Sequence, residues 1–126
     1  MASRILIVED DEATVELIKF TLASKGFEAI VASDGAEAMR AVRKEKPDLI
    51  VLDIMLPTMD GFQVCMLLKH NVEYRDIPII ILSAKVRKED ISEGYEKGAD
   101  EYITKPFEPS HLIERIKFFL KKGEKI

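Results

Sequence analysis

The sequence predicts a doubly wound α/β fold, an open parallel sheet of five strands with five helices on its two faces. Short apolar runs of strand length alternate with longer amphipathic segments, which is the rhythm of strand and helix units. The apolar runs are nearly continuous, as in parallel strands covered on both sides. No stretch between them is rich enough in Gly, Ser or Pro to act as an interdomain linker. A length of 126 residues, 47% hydrophobic and 33% charged, suits one self-sufficient domain. That domain is expected over residues 1–122, with 123–126 a polar tail or the start of a linker.

Ile5 to Val8 reads as the first strand, and Asp11 or Asp10 can cap the helix that follows. Val15, Ile18 and Leu22 lie on one stripe of that helix, which Gly26 ends. Phe27 to Ala32 forms a second strand, Asp34-Gly35 turns the chain, and Ala36 to Lys44 is a short helix closed by Pro47. Leu49 to Leu52 is a very apolar strand running straight into Asp53. A helix from Phe62 to about His70 leads to the strand Ile79 to Leu82, with Ser83 at its end. A charged helix from about Lys88 to Lys97 stops at Gly98, and Glu101 to Thr104 is the last strand. Pro109 to Lys122 is the last helix, with Leu112, Ile113, Ile116, Phe119 and Leu120 at helical spacing. Right-handed crossovers allow such units the flavodoxin-like order 2-1-3-4-5, with function at the carboxyl ends of the strands.

Composition excludes several classes. The net charge of -4, from 23 acidic and 19 basic residues, offers no basic face for direct nucleic-acid binding. Cys65 is the single cysteine, so no internal disulfide is possible, and its apolar neighbours make it a buried side chain. No leader is visible, and the apolar stretch Pro78 to Leu82 is far too short for a bilayer, so a cytoplasmic location is expected.

The strand ends carry the chemistry. Strand one ends in Glu9-Asp10-Asp11-Glu12, strand three in Asp53 and strand four in Ser83-Ala84; strand five leads to Lys105-Pro106. Carboxylates gathered in one pocket raise each other's pKa unless a cation neutralises them. Oxygen donors without His or Cys point to a hard cation, and Mg²⁺ takes few protein ligands. Taken alone, Glu9 and Asp10 are as well explained by helix capping as by metal binding. Asp53 shifts the balance, because a carboxylate at the end of a very apolar strand needs a partner. Lys105 offers one, and a plain ion pair of the two remains open. Together the groups suit a phosphoryl-transfer site with Asp53 as nucleophile, Mg²⁺ and Lys105 neutralising phosphoryl oxygens, and the Ser83 hydroxyl bonding one of them.

Four blocks resemble the receiver domains of bacterial and archaeal response regulators in two-component systems. They are Ile5 to Glu12, Asp48 to Pro57 with Met59-Asp60-Gly61, Ile79 to Ala84, and Gly98 to Phe107. The resemblance implies that Glu9 and Asp10 hold Mg²⁺ with Asp53 and the backbone carbonyl of Met55, and that Lys105 contacts the phosphoryl group. It implies a cis Lys105-Pro106 peptide. Ser83 and an inward-turning Tyr102 would act as the switch, and Met55 and Lys85 would tune phosphoryl lifetime. Many receivers have Asp where this chain has Glu9, whose extra methylene would push its metal contact outward through water. The phosphate donor would be a sensor histidine kinase or a histidine phosphotransfer protein, acting on a phosphoprotein switch that is not an enzyme. Output is expected on the face of the fourth helix, fifth strand and fifth helix, toward an effector the sequence does not name, as a monomer or a phosphorylation-dependent dimer.

Three rival readings remain. A haloacid-dehalogenase-like phosphatase would need an acid two residues after Asp53, where Met55 stands. A flavodoxin-like nucleotide module would need a phosphate loop where Glu9 to Glu12 stand. The chain can also be the receiver of a longer regulator, such as a DNA-binding transcription factor, cut after the receiver.

Overall fold

The computed structural model describes residues 2–122. The five strands are β1 (Arg4–Val8), β2 (Glu28–Ala32), β3 (Leu49–Leu52), β4 (Ile79–Ser83) and β5 (Glu101–Thr104). Between and after them come α1 (Glu12–Ser24), α2 (Gly35–Glu45), α3 (Gly61–Lys69), α4 (Lys88–Glu96) and α5 (Pro109–Lys122). All pairings are parallel, in the order β2-β1-β3-β4-β5, the flavodoxin-like α/β arrangement.

The period of two in the strands divides the core into two layers. Leu6, Val8, Ile50, Leu52, Ile79 and Ile81 face one side, where Val42 of α2 and Val64 and Leu68 of α3 cover them. Their neighbours Ile5, Ile7, Leu49, Val51, Ile80 and Leu82 face the other side, against Ile18 and Leu22 of α1 and Leu112 and Ile116 of α5. Because both faces are covered, β3 and β4 are buried along their whole length. Cys65 is buried in the first layer.

Element ends differ from the sequence expectations by about one residue. Asp11 caps α1, its carboxylate accepting from the Thr14 amide at 3.0 Å. Asp34 is an N-cap rather than a turn residue, and α2 begins at Gly35. Its carboxylate accepts from the Glu37 amide, while Glu37 accepts in return from the Ser33 amide. The third helix likewise starts one residue early, at Gly61, and His70 is its C-cap. The tail at 123–126 lies outside the described residues.

Candidate functional site

Strand register brings the predicted residues together. Val8 of β1 pairs with Leu52 of β3, so the next residues, Glu9 and Asp53, leave the sheet side by side. The ladder runs one step further there, with the Glu9 amide donating to Ala32 and the Asp53 amide donating to Val8. On the other flank Ser83 pairs with Thr104, and the Lys105 amide donates to the Ser83 carbonyl at 2.8 Å. The order of the sheet therefore places Lys105 and Ser83 on one side of Asp53 and Glu9 on the other.

Lys105 is the centre of the electrostatics. Its ammonium donates to Asp53 Oδ2 at 3.1 Å and to Glu9 Oε1 at 2.5 Å. The second Asp53 oxygen accepts from the Met55 amide at 3.0 Å, and the second Glu9 oxygen accepts from the Asp11 amide at 3.2 Å. Glu9 and Asp53 are buried, at 3% and 6% exposure, whereas Asp10 is exposed. Burial raises the Glu9 carboxyl above its ordinary range, the Asp53 charge adding to that and Lys105 opposing it. Burial works against the Lys105 charge, yet the bond to Glu9 and the charge of Asp53 outweigh it and hold the ammonium above its ordinary value. Both partners of one ion pair thus rise, because desolvation dominates at the deeper carboxylate.

Glu9, Asp10 and Asp53 each offer an oxygen within 4.8 Å of the others, a group that could hold a metal ion. One ammonium among three carboxylates leaves negative charge in excess, so the donor set suits a hard cation. Lys105 bonds to Glu9 as well as Asp53, a contact that the sequence reading did not foresee. The Lys105-Pro106 peptide is cis.

Ser83 is fully buried, and its hydroxyl accepts from the Lys85 amide at 3.2 Å. The Lys85 carbonyl in turn accepts from the Tyr102 phenol at 2.7 Å. Tyr102 is 9% exposed, and burial with the nearby Asp90 charge raises its phenol above the ordinary range. Exposed Met55 and Lys85 line one groove with Ile54, Leu56, Thr58 and Asp60. The loop below them is tightly folded. Thr58 is left-handed at φ 66° inside a γ-turn closed by the Met59 amide on the Pro57 carbonyl. A Cβ on Gly61 would lie 2.3 Å from the Ile54 Cα, so only glycine lets α3 start this close to Asp53.

The family model for the response regulator receiver domain matches residues 5–117. The chain belongs to that family. Receiver domains are phosphorylated by histidine kinases, and this one is a non-enzymatic signalling domain of a two-component response regulator. The receiver is 44% identical over 124 residues to the alkaline phosphatase synthesis transcriptional regulatory protein PhoP of Bacillus subtilis, covering 98% of this chain and 51% of that protein. It is 41% identical over 124 residues to the DNA-binding response regulator MtrA of Mycolicibacterium smegmatis, covering 98% and 53%. It thus spans about half the length of these curated relatives. The signal receiver domain of a signal transduction histidine kinase from Syntrophus aciditrophicus superposes with a TM-score of 0.93 at 35% identity, covering 99% of this chain and 95% of that one. Among the described residues, no helix is long and apolar enough to cross a membrane.

Proposed function

We propose that this receiver is a Mg²⁺-dependent phosphoacceptor switch, taking a phosphoryl group on Asp53 from a sensor histidine kinase or a histidine phosphotransfer protein. The observation that carries the reading is the buried Asp53 carboxylate, held by Lys105 and grouped with Glu9 and Asp10. In the transfer an Asp53 oxygen bonds to phosphorus as the phosphorus–nitrogen bond of the donor phosphohistidine breaks, and the histidine nitrogen takes up a proton. Glu9, Asp10, Asp53 and the Met55 carbonyl would hold Mg²⁺, with Glu9 acting through water since its oxygens already serve Lys105 and the Asp11 amide. When bound, that ion supplies positive charge to the phosphoryl oxygens. Lys105 contributes the fixed protein charge, and Ser83 a hydroxyl that can turn from the Lys85 amide to a phosphoryl oxygen.

Phosphorylation adds nearly two charges and strong acceptors, which bias the Ser83, Lys85 and Tyr102 chain and so the face of α4, β5 and α5. Met55 cannot orient an attacking water by hydrogen bonding, so self-dephosphorylation is slow, with Lys85 as the second tuning position. The output effector is unnamed. Similarity to the transcriptional regulatory protein PhoP and the DNA-binding response regulator MtrA favours a longer regulator of transcription, while the kinase-borne receiver from Syntrophus leaves other contexts open. A cytoplasmic location fits a histidine kinase partner, and a phosphorylation-dependent dimer is compatible with either context. Incubation with acetyl phosphate and Mg²⁺ tests the reading: the protein gains one phosphoryl mass and Asp53→Ala gains none. Full labelling of Asp53→Ala, or equal labelling in EDTA, would contradict it.

A further inference from the structure

We propose that Gly94 and Tyr95 of α4 form a latch that holds Tyr102 inward and fixes α4 over the free edge of the sheet. β5 is an edge strand, and its alternate amides point away from β4. The Lys105 amide donates to Ser83 of β4, so Ile103, two residues earlier, also faces β4 and Tyr102 between them faces outward. That outward amide donates to the Tyr95 hydroxyl at 3.2 Å. A side chain of α4 thereby occupies a backbone donor that the edge would otherwise offer to water or another strand. At the other end of α4 the contact is reversed, because the Tyr102 phenol donates to the Lys85 carbonyl just before the helix. The two tyrosines therefore brace α4 against β5 from opposite ends.

Gly94 makes the brace possible. A Cβ there would lie 2.8 Å from Tyr102 Cδ2, 3.1 Å from its Cε2 and 3.1 Å from Ile81 Cδ1. Ile81 is fully buried on the interior strand β4 and its contact is the longer, whereas the 2.8 Å approach to Tyr102 is closer than real Cβ atoms come, so the Tyr102 ring is the group pressed hardest. Glycine is a poor helix former, and replacing it with alanine inside α4 should stabilise the protein unless the missing methyl matters. Gly94→Ala thus penalises the inward Tyr102 ring selectively, while Tyr95→Phe removes only the acceptor oxygen.

The latch is read on the unphosphorylated protein by NMR, which makes it independent of phosphotransfer. In Tyr95→Phe the Tyr102 amide exchanges at least tenfold faster while that of Ile103 is unchanged. In Gly94→Ala the Tyr102 χ1 couplings change to those of an exposed ring, without the rise in Tm that helix propensity alone would give. Ser92→Ala, on the exposed side of α4, changes neither. A buried Tyr102 ring in Gly94→Ala, or wild-type exchange of the Tyr102 amide in Tyr95→Phe, would overturn the latch. Coupling to the site rests on the proposed function and is read by titration with beryllofluoride and Mg²⁺, where both variants should bind at least threefold more weakly. Unchanged affinity in both would overturn the coupling, whereas no binding even by the unaltered protein would count against the phosphoacceptor reading and leave the NMR result standing.

Discussion

Lys105 answers two carboxylates at once, and its removal would leave Glu9 and Asp53 facing each other without a cation. Losing one partner of a fully buried pair costs about 3–5 kcal/mol. Lys105 keeps 19% side-chain exposure, so Lys105→Met should cost less, about 2 kcal/mol in urea unfolding without divalent ions. Excess Mg²⁺ should narrow that deficit, and a deficit independent of Mg²⁺ would argue that the carboxylates do not share a cation site. Asp10 is exposed and bears little on folding, so Asp10→Asn should leave the melt unchanged yet weaken Mg²⁺ binding at least tenfold by titration. Asp53, Lys105, Glu9 and Asp10 were legible in the sequence because strand ends fix where Cα atoms emerge. The sharing of Lys105 was not, since the rotamers of a long side chain depend on every neighbour at once. Glu101 of β5 and Arg115 of α5 teach the same lesson, their side chains pairing at 2.8 Å across elements whose own spacing does not announce the contact.

The loop between β3 and α3 is where local propensity and tertiary need disagree. Asp60 caps α3 by accepting from the Phe62 amide at 2.7 Å, so Asp60→Ala should cost about 1 kcal/mol. Gly61→Ala should cost clearly more than that, because the added methyl meets the backbone of Ile54 and Asp53 rather than a movable side chain. Thr58 carries the opposite expectation. A β-branched residue held left-handed stores about 1–3 kcal/mol, so Thr58→Gly should raise the Tm. The helices and strands themselves were readable from apolar spacing, since caps such as Asp11 and stops such as Gly26 act locally. Lys69 was not readable. Its ammonium donates to the Arg75 and Ile77 carbonyls and to Asp100, tying the loop after α3 to the start of β5 across distant parts of the sequence.

Across the whole molecule, the two-layer core sets what is accessible to reagents and what is accessible to a phosphate donor. Cys65 lies inside the first layer, where burial pushes its thiol up from 9.0 to about 11. Its raised folded pKa means the neutral thiol's contribution to stability is complete below about pH 9 and is lost as pH rises through about 11. Native protein at pH 8 should therefore not react with a disulfide reagent until it unfolds, and prompt reaction would place Cys65 outside the core. The doubly wound order was legible from the alternation of runs, because parallel strands with right-handed crossovers leave few arrangements. An inward Tyr102 followed from the family resemblance, but the groups around it were not legible, as they are Gly94 of one element, Lys85 before it and the free edge of the sheet. Asp53 is the buried carboxylate at the meeting point of these elements. The most direct test is to phosphorylate the protein with acetyl phosphate and Mg²⁺, reduce the acyl phosphate with borohydride, and map the product by peptide mass spectrometry. The account predicts conversion of Asp53 alone to homoserine; reduction at any other carboxylate, or none in a protein that has taken up phosphate, would contradict it.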